Sequence, residues 1–149
     1  MNLAPPVEEG GPRFRPDGPP AAESQLAELV QSLQVQLPTE LQSLLLQMDG
    51  LRDVPGHLGL ILSTQGILTT NRDMWDSPWP SPKPGKTSLK RLFFFGEAGN
   101  GDLYAFPIED GEICADMVVE WNHEEDSLRR VATSLADFLR WWTITRQWS

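Results

Sequence analysis

The stretch Phe94-Phe95-Gly96-Glu97-Ala98-Gly99-Asn100-Gly101-Asp102-Leu103-Tyr104-Ala105-Phe106 decides the fold. Two apolar, aromatic runs flank a segment punctuated by Gly96, Gly99 and Gly101, the pattern of an antiparallel hairpin with a longer loop. The first run reaches back to Leu89, so strands are predicted over Leu89–Phe95 and Leu103–Phe106. The glycines do not make a phosphate loop. Glu97 and Asp102 flank the turn, the required Lys-Ser/Thr pair is missing, and a strand follows where a helix would be needed.

Downstream of the hairpin, Glu109-Asp110-Gly111 reads as a turn and Met117, Val118, Val119 and Trp121 as a third strand. Ser134 is suited to cap a closing helix, with Asp137 near the third amide. Its stripe of Leu135, Phe138, Leu139 and Trp142 has helical spacing. Upstream, Leu26, Leu29, Val30 and Leu33 line one face of a helix that starts near Glu23. Pro38 interrupts, and Thr39 with Gln42 suggests a capping box for a second helix carrying Leu41, Leu44, Leu45 and Met48. Gly50 is suited to the left-handed position after that helix. Leu58–Leu62 predicts a buried strand, and Ser63 or Thr64 starts a third helix running to about Trp75. Gly66 weakens that helix by about 1 kcal/mol relative to alanine.

Two segments stand outside this pattern. Asp76–Lys86 holds Pro78, Pro80, Pro82 and Pro84, so it reads as a loop or polyproline-like excursion and not as a strand in a ladder. Met1–Ala22 is rich in proline and glycine and lacks periodic apolar residues, so it predicts a disordered tail (1–22) ahead of one folded domain (23–149). Helices, then an antiparallel meander, then a closing helix make an α+β domain: a mostly antiparallel sheet flanked by helices.

Composition narrows the function. The chain of 149 residues is 40 % hydrophobic, enough for a core, and its 21 acidic against 12 basic residues leave a net charge of −9. Such a surface repels nucleic acid and anionic lipid, and either attracts a basic protein or simply keeps the molecule soluble. The single cysteine, Cys114, can form no internal disulfide and is expected as a small buried apolar residue. No apolar run approaches the roughly 20 residues of a membrane span, and no secretory signal is visible, so a cytoplasmic location is expected.

Catalytic candidates are thin. Neither His57 nor His123 has a nucleophile at a motif spacing, and Ser127 and Ser134 lack the glycines of a nucleophile elbow. His123-Glu124-Glu125-Asp126 is the best metal candidate, but adjacent loop residues rarely converge on one ion, and a solvated strand end is favoured. No cofactor is expected. The charge pattern stands out more. Glu97, Asp102, Glu109, Asp110, Glu112, Asp116, Glu120, Glu124, Glu125 and Asp126 follow one another with no lysine or arginine among them. Positive charge lies outside, at Lys83, Lys86, Lys90 and Arg91 before and Arg129 and Arg130 after. From Glu109 onward these carboxylates, Asp126 included, are the expected partner-binding residues. Of the tryptophans, Trp75 and Trp79 flank the proline loop, Trp142 is expected in the core, and Trp141 is a weaker candidate for an interface anchor.

Four strings in order resemble one family. Leu37-Pro38-Thr39-Glu40-Leu41 closing at Asp49-Gly50 is similar to the opening helix of the SUKH superfamily. Phe94-Phe95-Gly96 with Gly101-Asp102-Leu103-Tyr104-Ala105 resembles its hairpin. Val118-Val119-Glu120-Trp121-Asn122-His123-Glu124 resembles its following strand, and Ser134-Leu135-Ala136-Asp137-Phe138-Leu139 its final helix. Asp49 stands where asparagine is commoner, and Asn100 where a second glycine is often found. The resemblance implies a strongly bent sheet used for protein binding, with no catalytic residues. Pro38, Gly50, Gly101, Asp102, Tyr104 and Trp121 are then structural, and Asp102 is expected to fix its own glycine turn. Many bacterial members are immunity proteins that neutralise a toxin, often a nuclease; others, including the yeast cell-wall regulator, are regulatory or scaffolding proteins. The expectation is therefore an immunity-type protein that meets a basic toxin domain through its acidic surface. The alternative is a regulatory or scaffolding domain without a toxin.

Overall fold

A computed structural model describes residues 14–53, 58–76 and 89–146. Its first element corrects the expected tail. Phe14–Pro16 forms strand β1, well before Glu23. The composition there is poor in apolar residues, but three anchors hold it. Phe14 packs its ring on Trp142 with centroids 5.0 Å apart. Asp17 pairs with Arg52 at 2.6 Å, and its N–H donates to the Gly50 carbonyl.

Helix α1 (Glu23–Leu33) buries Leu26, Leu29 and Leu33, as its spacing predicts. Helix α2 (Thr39–Gln47) buries Leu41, Leu44 and Leu45. Its cap differs from the expected box: Pro38 occupies the cap position, and Gln42 donates to the Leu37 carbonyl. Proline fits here because the first turn of a helix has no use for its missing N–H. Gly50 is likewise not the residue that ends α2; the helix ends through an extended Met48. Gly50 instead turns the chain with φ +103°, where a Cβ would lie 3.0 Å from the Ser63 nitrogen. From there β2 (Leu51–Asp53) pairs with β1 on one side and β3 (Gly59–Ile61) on the other, all antiparallel. Ser63 Oγ then accepts the Gly66 N–H, and Asp49 accepts both the N–H and the hydroxyl of Thr64, starting α3 (Thr64–Asp76). Both expected cap residues take part. The proline loop lies outside the described residues, apart from Asp76.

The predicted strand over Leu89–Phe95 begins as a single 3₁₀ turn at Leu89–Arg91, and the strand itself, β4, is Leu92–Glu97. It pairs with β5 (Leu103–Glu109), which continues through Asp110-Gly111 into the short β6 (Glu112–Ile113). Strand β7 (Val118–Asn122) lies against β5, and β8 (Ser127–Ala132) against β7. Sequence reasoning missed β1, β2, β6 and β8. In β8, Arg129 and Arg130 stand side by side, and a register shift opposite Val118/Val119 breaks the period of two that marks a half-buried strand. The order is β4-β5-β7-β8, and helix α4 (Leu135–Arg146) closes the chain. The Ser134 hydroxyl accepts the Asp137 N–H, while Asp137 accepts the Thr133 N–H, so the predicted cap forms.

The two sheets meet at Gly96. The Leu62 N–H donates to the Phe95 carbonyl, and a Cβ at Gly96 would collide with the Leu60 carbonyl oxygen. Only glycine allows that approach. Beside this contact the buried Asn71 donates to the Phe94 carbonyl and accepts its N–H, so α3 closes the outer edge of β4. The main core gathers Phe93, Phe95, Tyr104 and Phe106 against Phe138 of α4. Leu92, Phe94, Ala105, Val119 and Trp121 form a second, smaller cluster. The molecule is an α+β single domain with antiparallel sheet flanked by helices. Among the described residues, no helix is long and apolar enough to cross a membrane.

Candidate partner-binding surface

Folding divides the carboxylate window in two. Glu109 ends β5, Asp110 occupies the following turn with φ 52°, Glu112 lies on β6, and Asp116 stands in the turn before β7. All four are exposed, at one end of the sheet. Glu124 and Glu125, also exposed, lie with the partly buried Asp126 in the β7–β8 turn. Because Trp121 pairs with Leu103 at the start of β5, this second group sits at the opposite end. Six residues of strand separate the ends, or about 20 Å.

Between them the charge is neutralised. Glu120 lies opposite Arg129 across β7 and β8, and the two side chains pair at 2.6 Å. The segregation of charge seen along the sequence is therefore partly undone in three dimensions, because β8 brings its arginines back beside the acidic strand.

At the second end, side chains are committed to holding the chain together. Asp102 and Asn100 hold the glycine turn together: the Asn100 side-chain oxygen accepts the Asp102 N–H, and the Asn100 side chain also hydrogen-bonds to the Asp102 carboxylate. The Asp102 carboxylate reaches across to β7, accepting the His123 N–H at 3.0 Å and meeting Nδ1 of its ring at 2.7 Å. Burial opposes ionisation of Asp102, but the backbone and ring of His123 outweigh it and hold the carboxyl below the usual carboxylate range. A Cβ on Gly101, with φ +98°, would lie 2.8 Å from the His123 ring, so this glycine makes room for the pair. Asp126 accepts the Trp121 indole N–H at 2.8 Å. His123 and Asp126 thus serve separate partners. Among the described residues, no three His, Cys, Asp or Glu side chains are placed to hold a metal ion.

The remaining motif residues are buried. Tyr104 lies edge-on to Phe138 with centroids 4.6 Å apart, and Trp121 edge-on to Phe94 at 5.9 Å. Trp141 is half-buried against Phe138 and Tyr104, which ties it to the core more than to a partner. Cys114 is half-exposed, against the expected burial, and lies beside the first acidic end. Desolvation first, then the charges of Glu109 and Asp116, push its thiol up from the usual value, so it stays protonated near neutrality.

Sequence reasoning also missed an apolar groove of about 430 Å³ between α1 and α2, lined by Leu26, Val30, Leu37 and Leu46 among others. Its signal was Leu46, a leucine off the apolar stripe of α2 and 38 % exposed.

The described residues form an α+β scaffold that displays exposed carboxylates at its turns. Residues 20–141 match the SMI1 / KNR4 family (SUKH-1), and the chain belongs to that family. No curated protein matches it. Membership supports a general role in toxin immunity and protein binding, and a non-enzymatic one.

Proposed function

We infer that this protein is an immunity protein that binds and neutralises a cognate bacterial toxin, with the first acidic end steering the encounter. The observation that carries this reading is the group Glu109, Asp110, Glu112 and Asp116. All four are exposed, and among the described residues no lysine or arginine forms an ion pair with any of them. Exposed carboxylates at this end of the sheet, without an ion-pair partner among the described residues, suit a basic partner, such as a nuclease whose cleft accepts phosphate. Charge of this kind raises association rates towards about 10⁸–10⁹ M⁻¹s⁻¹ at low salt. A cytoplasmic location is part of this proposal, since it puts the protein where a toxin with intracellular substrates acts.

The test is association kinetics with candidate toxin domains, beginning with any that a neighbouring gene encodes. Replacing Glu109, Asp110, Glu112 and Asp116 with lysine should slow association by about tenfold or more at low salt, with a smaller effect at high salt. An unchanged rate would move the contact off this end. If no toxin domain binds at all, the immunity reading fails and a regulatory or scaffolding role takes its place.

A further inference from the structure

The larger sheet has two outer edges, and they are treated differently. That of β4 is closed by Leu62 and by Asn71, which occupy the Phe95 and Phe94 backbone groups. At the other end of the order stands β8, and among the described residues no backbone hydrogen bond leaves Ser127–Ala132 on the side away from β7. In an antiparallel pair, alternate N–H and C=O groups point away from the neighbouring strand, so β8 presents a row of them. Its side chains supply a pattern as well. Leu128 is 41 % exposed, and Arg130, two residues on and on the same face, is exposed opposite the uncharged Val119. Arg129 is held by Glu120. The turn that leads into β8 carries the exposed Glu124 and Glu125.

We propose that the open edge of β8 is a docking site for an extended partner segment, which adds to the sheet as an antiparallel strand. Its charge order is fixed by what it must face. The segment carries a carboxylate opposite Arg130, an apolar residue on Leu128 two positions later, and a basic residue towards its C-terminal end beside Glu124 and Glu125. A second copy of this chain is a poor occupant, because pairing over the full length of β8 sets Arg129 opposite Arg130 of the other copy. Main-chain hydrogen bonds supply affinity in this mode and alternate side chains supply specificity. The site stands apart from the first acidic end, and the proposal holds whether or not the partner is a toxin.

The probe is a cyclic β-hairpin peptide whose outer strand reads Thr-Glu-Thr-Val-Thr-Lys-Thr; its control exchanges the glutamate and the lysine. Hydrogen exchange of the full-length protein is followed by NMR with each peptide. The first peptide should protect alternate β8 amides and bind about fivefold or more tightly than the control, and Arg130→Glu should abolish that preference. Arg130→Gln should lower it without reversing charge, which guards against a folding defect in the first variant. The proposal is overturned if neither peptide binds, if both bind equally, if protection falls outside β8, or if light scattering shows a dimer whose β8 amides are already protected without peptide.

Discussion

Asp102 is buried to 7 % exposure, and its carboxylate joins the start of β5 to the end of β7 through two contacts with His123. Replacing it with alanine strands the His123 N–H near the protein interior and removes a charge-assisted bond. Asp102→Ala should therefore cost about 2–3 kcal/mol in urea unfolding. The pH dependence has a definite sign. The folded-state pKa of Asp102 lies below its unfolded value, so its contribution is fully present above the ordinary carboxylate pKa of about 3.9 and is lost as pH falls through the folded value. Below about pH 4 the gap between wild type and Asp102→Asn should narrow. A gap that stays constant from pH 7 to pH 3 would show that the ionised carboxylate contributes nothing. The residue type and the glycine turn before it were visible in the sequence. Its partner was not, because His123 lies 21 positions away and the two meet through strand pairing.

Strands β1 and β8 show why elements were missed. Both are short or irregular, and each is ordered by contacts made elsewhere: β1 by Trp142 and Arg52, β8 by its pairing with β7. Local pattern carries little information in such cases, since a strand fits a surface that other elements build. The helices were easier. The stripes of α1 and α2 and the Ser134 cap of α4 are local features, and each forms at the place its spacing indicates. If β1 is an integral strand, Phe14→Ala should destabilise the domain by about 2 kcal/mol, less than the 3–5 of a fully buried phenylalanine because the ring is half-buried. It should also change the Trp142 emission. A melting temperature equal to that of wild type would mean that β1 adds nothing to the domain.

At the scale of the whole molecule, the net charge of −9 gives the sum of the charge but not its arrangement. The arrangement is two ends of one sheet, about 20 Å apart, more than twice the roughly 8 Å over which charges act at physiological salt. A partner at one end barely senses the other. Charge reversal at Glu124 and Glu125 should thus leave toxin association within about twofold at physiological salt, while reversal of the Glu109–Asp116 group slows it strongly. Stopped-flow measurement of both variants decides this, and equal slowing would mean that the partner spans both ends.

By itself, the sequence determined the α+β class, the helical stripes, the central hairpin with its glycines, the family and the sum of charge, because each is written in local spacing or composition. Tertiary structure alone decided that Asp102 reaches His123, that Gly96 is where the two sheets touch, that Arg129 neutralises Glu120, and that β8 is left with an open edge. Those depend on strand order and register, which bring together residues that sequence distance keeps apart. The carboxylate window met first as one continuous run is, in the folded protein, two separate ends with a neutralised middle.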